Sequence, residues 1–160
     1  MKDGENRTVT FEEVLARDGK LTYRTKGTSM QPMLKENRDL ITVEAASSRL
    51  RRFDVALYKR NGADVLHRVI RVGDGAYRIR GDNTFRTETV PFENVYGVLT
   101  GFVRKGKDRS VNGKGYRAYV RIWNAIYPLR WALHQLRRGA VRVMKTLGVL
   151  PYFKKLLRRN

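Results

Sequence analysis

An antiparallel, mainly β domain followed by a basic amphipathic helical segment is the fold class this sequence predicts. Two observations set the β part. Short β-rich runs fill the middle of the chain, and Asn61-Gly62 and Asp74-Gly75 stand between them as two-residue hairpin signals. The runs show no βαβ rhythm, which disfavours a parallel sheet. A third observation sets the helical part: after residue 115, apolar side chains recur at helical spacing.

Taken in order, Thr10-Phe11-Glu12-Glu13 predicts a capped helix start, with Gly19 as its stop. Leu21 to Lys26 alternates apolar and polar, as a half-buried strand does. Gly27 to Pro32 breaks that pattern. Asp39 to Glu44, Phe53 to Tyr58, Asp64 to Val72, Ala76 to Gly81 and Val95 to Val103 are the further strand candidates. Lys105 to Gly115 is charged and glycine-rich, and is taken as a linker. Tyr116, Val120, Trp123 and Ile126 then follow a helical period. Pro128 interrupts it. Leu129, Leu133, Leu136, Ala140, Met144 and Leu147 resume it, and Pro151 ends it. The expected organisation is a β domain over residues 1–104, a linker over 105–115 and a helical segment over 116–160.

A chain of 160 residues, 41% hydrophobic, can bury a real core and is not a disordered polymer. The absence of cysteine excludes disulfides and thiolate metal sites. The formal charge of +19 calls for an anionic partner. That charge is concentrated: Asp108 is the last acid, and 13 Lys and Arg follow it without a carboxylate. The start of the chain shows no apolar secretory segment, and no apolar run approaches the roughly 20 residues of a membrane span. The expected location is cytoplasmic and peripheral to a membrane.

Three short stretches carry residues with chemistry. The first, Gly27-Thr28-Ser29-Met30-Gln31-Pro32, puts a hydroxyl on a tight bend, where backbone N–H groups can meet an oxyanion. By itself it is an ordinary loop. The second is Leu66-His67-Arg68-Val69-Ile70, holding one of the two histidines; the third is Gly81-Asp82-Asn83. Register connects these two. If Asp74-Gly75 is a two-residue turn, Gly73 faces Ala76 and His67 faces Asp82, within about 4.5–5.5 Å at Cβ. Leu66, Ile70, Val72, Tyr77 and Ile79 then share the core face, while His67, Val69, Arg71, Arg78, Arg80 and Asp82 share the other. A single bulge would undo this pairing.

These stretches, with Arg38-Asp39-Leu40-Ile41 and Phe53-Asp54-Val55-Ala56-Leu57-Tyr58, resemble in order and spacing the boxes of the S24/S26 serine peptidases. That group holds the type I signal peptidases and the LexA-like repressors. Histidine in the second box resembles the endoplasmic-reticulum and archaeal signal-peptidase branch, where other branches have lysine. The resemblance spans roughly Leu21 to Gly101 and implies a signal-peptidase/LexA-like β fold. It implies Ser29 as nucleophile, His67 as general base and Asp82 as the assisting acid, in a Ser-His-Asp mechanism. It implies Gly27, Thr28 and Met30 as the surrounding oxyanion loop. Glu88 stands where that branch carries a second acid, and it also reads as a plain loop charge, which is the favoured reading. No metal or cofactor is implied. The implied substrate is an extended peptide with small residues before the scissile bond, as in a leader, signal or propeptide. The polar residues before the serine box stand where signal peptidases carry an anchor. A self-cleaving repressor would need an Ala-Gly or Cys-Gly bond upstream of Ser29, and residues 1–28 contain neither.

The basic C-terminal segment has three readings. It can lie on an anionic membrane, pack on the β domain, or bind nucleic acid. The length of its apolar stripe ranks the membrane first and nucleic acid below it. His134, within this segment, reads as a surface helix residue. The alternative to an enzyme is a basic nucleic-acid-binding or regulatory protein with an inactive peptidase-like fold.

Overall fold

The computed structural model describes residues 9–146. The chain divides into two units, Met1–Val120 and Arg121–Asn160. In the first, the expected helix forms as α1, Phe11–Asp18. Thr10 and Glu13 close a reciprocal capping box, and Gly19, in the left-handed region at φ 71°, ends it. Eight strands follow among the described residues: β1 (Lys20–Arg24), β2 (Leu40–Ala45), β3 (Val55–Arg60), β4 (Ala63–Val72), β5 (Ala76–Arg80), β6 (Glu88–Pro91), β7 (Val95–Arg104) and β8 (Lys107–Ser110). All pairings are antiparallel. The order across the sheet is β1-β2-β7-β3-β4-β5-β6, with β8 paired to one end of β7.

β3 lies in the middle of that order and is buried on both faces. Val55 and Leu57 enter one core cluster with Leu15, Met30, Ile41 and Leu99. Ala56 and Tyr58 enter a second with Leu50, Val69, Tyr77 and Ile79. That is why β3 reads as a continuous apolar run rather than an alternation.

Three expectations are corrected. Residues 105–115 are not a linker. Lys105 and Gly106 both adopt positive φ, the geometry of a two-residue hairpin turn, and β8 returns along β7 from them. β6 was not expected: it is four residues long, ends in proline and gains its order from pairing with β5. The third correction is at β4. Near the turn the expected register holds, with Val72 facing Tyr77 and Arg71 facing Arg78. Ile70 is then an extra residue, and beyond it Val69 faces Ile79 and Arg68 faces Arg80. The bulge turns Val69 and His67 to the side of Tyr77 and Ile79, and sends Leu66 to the other cluster.

The helical segment comprises α2 (Lys114–Ala125) and α3 (Tyr127–Thr146). The expected interruption at Pro128 is slight. Ile126 N–H still reaches the Ile122 carbonyl at 3.0 Å, and Arg130 N–H reaches Ile126 at 3.0 Å. Proline in the first turn of α3 is tolerated because it needs no N–H there. The first turns of α2, through Val120, belong to the first unit. Leu147 and Pro151 lie outside the described residues.

Candidate active site

The loop between β1 and β2 carries Ser29. Gly27 has φ 80°, which favours glycine, and its N–H donates to Glu36 Oε1 at 2.8 Å. Met30 is buried in the first core cluster, and its carbonyl accepts from Leu34 N–H at 3.0 Å. Thr28 on the other side is exposed. Ser29 is thereby held half-buried at a rim. Asp39, wholly buried, braces the loop from below: it accepts from the Lys35 amide at 2.9 Å and pairs with Arg38. With the Gly27 amide committed to Glu36, the Ser29 amide stands without a protein acceptor among the described residues. It is one donor in this loop that can serve an oxyanion.

His67 reaches the same place from β4. It is 5% exposed, and it lines with Ser29 a cleft of about 790 Å³. The meeting point is Gly81. A Cβ built on that glycine would stand 2.7 Å from the Ser29 carbonyl oxygen and 3.0 Å from His67 Nε2. Gly81 thus leaves the space in which the serine loop and the imidazole come together. Asn83 ties the loop down beside it. Its amide donates to the Ser29 carbonyl at 2.7 Å, and its side chain donates to the Thr28 carbonyl at 3.3 Å.

Asp82 does not take the role expected of it. Both its oxygens accept from Arg68, Oδ1 from Nε and Oδ2 from Nη2, each at 2.7 Å, and Tyr119 OH also donates to Oδ2 at 3.0 Å. The Ile70 bulge is the cause. It shifts the strand by one residue, so that Arg68 rather than His67 turns toward the carboxylate. Arg68 is fully buried and satisfied: Nη1 donates to the Phe53 carbonyl at 2.9 Å and to Tyr116 OH at 3.0 Å. Burial opposes its charge, but the Asp82 bonds outweigh that and hold its pKa above the ordinary value.

Tyr58 occupies the position expected for Asp82. Its hydroxyl lies 3.1 Å from His67 Nδ1 and donates to Glu88 Oε2 at 2.9 Å. A phenol has one proton. Given to the carboxylate, it leaves the hydroxyl as the acceptor for His67, so Nδ1 carries the imidazole hydrogen and Nε2 keeps its lone pair. Burial first, and the bond to Glu88 second, raise the Tyr58 pKa, so the phenol keeps that proton across the working pH range. Glu88 is therefore no plain loop charge. It is also paired with Arg60. Burial pushes the His67 pKa below its ordinary value, against the opposing pull of the Glu88 charge.

The sequence held a signal for Tyr58 that went unused. The Asn61-Gly62 turn fixes Ala56 opposite His67, so Tyr58, two residues on, lies diagonally across on the same face. For Glu88 there was no such signal, since it arrives from β6, three strands away from β3. Among the described residues, no group of acids and histidines could hold a metal ion.

No protein-family model matches this chain, and no curated protein matches it.

Proposed function

We propose that this chain is a serine endopeptidase of the signal-peptidase type, acting through Ser29 and His67. The observation that carries the reading is the convergence of the Ser29 loop and His67 Nε2 on Gly81, beside an open cleft. The order and spacing of the sequence boxes support it. Ser29 Oγ attacks the peptide carbonyl as Nε2 takes its proton. The oxyanion is met by the Ser29 N–H. Collapse breaks the C–N bond, and His67 returns the proton to the leaving amine. Water, deprotonated by His67, then attacks the acyl-enzyme and frees the carboxylic acid and Ser29. Tyr58, backed by Glu88, keeps the Nδ1–H tautomer throughout and stabilises the imidazolium.

The cleft suits an extended peptide. β1 is the end strand of the sheet order, and Tyr23 to Lys26 line the cleft wall. An edge strand offers unpaired backbone groups to an added strand. Substrates with small residues before the scissile bond, from a leader, signal or propeptide, follow from the family resemblance.

The test is labelling by a serine-directed acylating probe. The parent is expected to react, and Ser29→Ala and His67→Ala of unchanged circular dichroism are expected to lose the reaction. A parent no more reactive than Ser29→Ala sinks the reading. The pH profile of the same reaction gives a second prediction. Nε2 must be unprotonated to act, and the buried His67 titrates below the free-histidine value of about 6.5. The acidic limb is therefore expected below that pH. Glu88→Gln removes the charge that opposes the shift, so its limb moves further toward acid. A limb that moves toward alkali in Glu88→Gln contradicts the relay.

A further inference from the structure

The second unit presents a feature that the peptidase chemistry leaves unused. Ile122, Ile126, Leu129, Leu133, Leu136, Ala140 and Val143 recur at alternating intervals of four and three, and so form one stripe along α2 and α3. The stripe is bare. Leu129 is 62% exposed, Leu133 57% and Leu136 70%. A contiguous apolar surface of this kind marks a docking face. Arg121 and Arg137 stand at its edges, and Arg138, Arg142 and Lys145 lie on the face turned away from it, with no acid anywhere after Asp108. Neither described helix is long and apolar enough to cross a membrane. A helix with one bare aliphatic stripe and one acid-free basic face has the polarity of a water–lipid boundary.

From this we infer that residues 121–146 dock on an anionic lipid bilayer, the aliphatic stripe sunk among the acyl chains and the arginines on the headgroup phosphates. Charge complementarity selects this occupant. A neutral apolar groove would leave the cations unanswered, and a nucleic acid would answer the cations but leave the seven aliphatic side chains of the stripe in water. The inference is independent of the peptidase reading and stands if Ser29 proves inert.

The experiment is co-sedimentation of the full chain with phosphatidylcholine vesicles, with and without phosphatidylglycerol, at low and high salt. Binding is expected on the anionic vesicles and is expected to weaken with salt. Leu129→Glu/Leu133→Glu is expected to lose about tenfold or more per leucine, since each forfeits its burial. Arg137→Gln/Arg138→Gln/Arg142→Gln is expected to lose about fivefold per charge. All five sites are on the helix surface, and circular dichroism checks that helicity is kept. Any of three results overturns the inference. One is equal binding to neutral and anionic vesicles. Another is binding to duplex DNA in preference to vesicles, undiminished in Leu129→Glu/Leu133→Glu. The last is a stable dimer that ignores vesicles, which would mean that a second copy covers the stripe.

Discussion

Asp82→Ala is expected to destabilise the protein by about 3–5 kcal/mol, the cost of stranding a buried charge. Arg68 has no exposed surface, and the two 2.7 Å bonds it donates to Asp82 are what answer its guanidinium in the interior. Tyr116 and the Phe53 carbonyl would remain as partners, but neither carries a compensating charge. Against the usual total of about 5–15 kcal/mol the loss is large. It corresponds to a fall in Tm of roughly 6–20 °C, readable by thermal circular dichroism. Arg68→Met/Asp82→Leu, which removes both charges, is expected to be the milder variant, because it leaves no charge unpaired. An unchanged Tm in Asp82→Ala would mean that the pair is not closed as described. The contrast with Glu88→Gln is informative: Asp82 is expected to register chiefly in stability, Glu88 chiefly in the pH profile of the reaction.

Gly81→Ala is expected to slow acylation of Ser29 by about 10²-fold, the order of penalty for misplacing reacting groups by an ångström. The added methyl would stand 2.7 Å from the Ser29 carbonyl oxygen, closer than a real Cβ comes to any atom. That oxygen cannot simply retreat, because the Asn83 amide holds it at 2.7 Å. On its other side the methyl would press on His67 Nε2. One substitution therefore displaces the Ser29 loop and the His67 imidazole together. Gly75→Ala is the control: nothing lies within 4 Å of its Cβ position, and its φ is not in the left-handed region. It is expected to react at the parental rate. Equal rates for the two variants would dissociate Gly81 from the site.

Much of the architecture was legible in the residues. The capping box at Thr10, the Asn61-Gly62 and Asp74-Gly75 turns and the doubly apolar run of β3 are local signals, and each forms the element it announces. Ser29, His67 and Gly81 were legible as boxes in order, and the structure brings them together. The partner of His67 was not. The Ile70 bulge leaves no mark in composition, since an isoleucine fits a regular strand as well as a bulged one, yet it reassigns Asp82 from His67 to Arg68. Glu88 was misread because its role depends on β6, too short to stand out, and on a tyrosine that bridges to it. The linker was misread for the same kind of reason: Lys105-Gly106 is a turn only because β8 has β7 to pair with.

The position of β3 carries a consequence for how this molecule opens. Its backbone is paired to β4 on one side and β7 on the other, and both of its faces are sealed by side chains. Its amides can meet solvent deuterium only when both core clusters come apart. Native-state exchange there should follow the global unfolding free energy, while the four exposed residues of β8 trade their hydrogens through small local openings. Tyr58, which positions the imidazole, thus sits on the strand that lets go last.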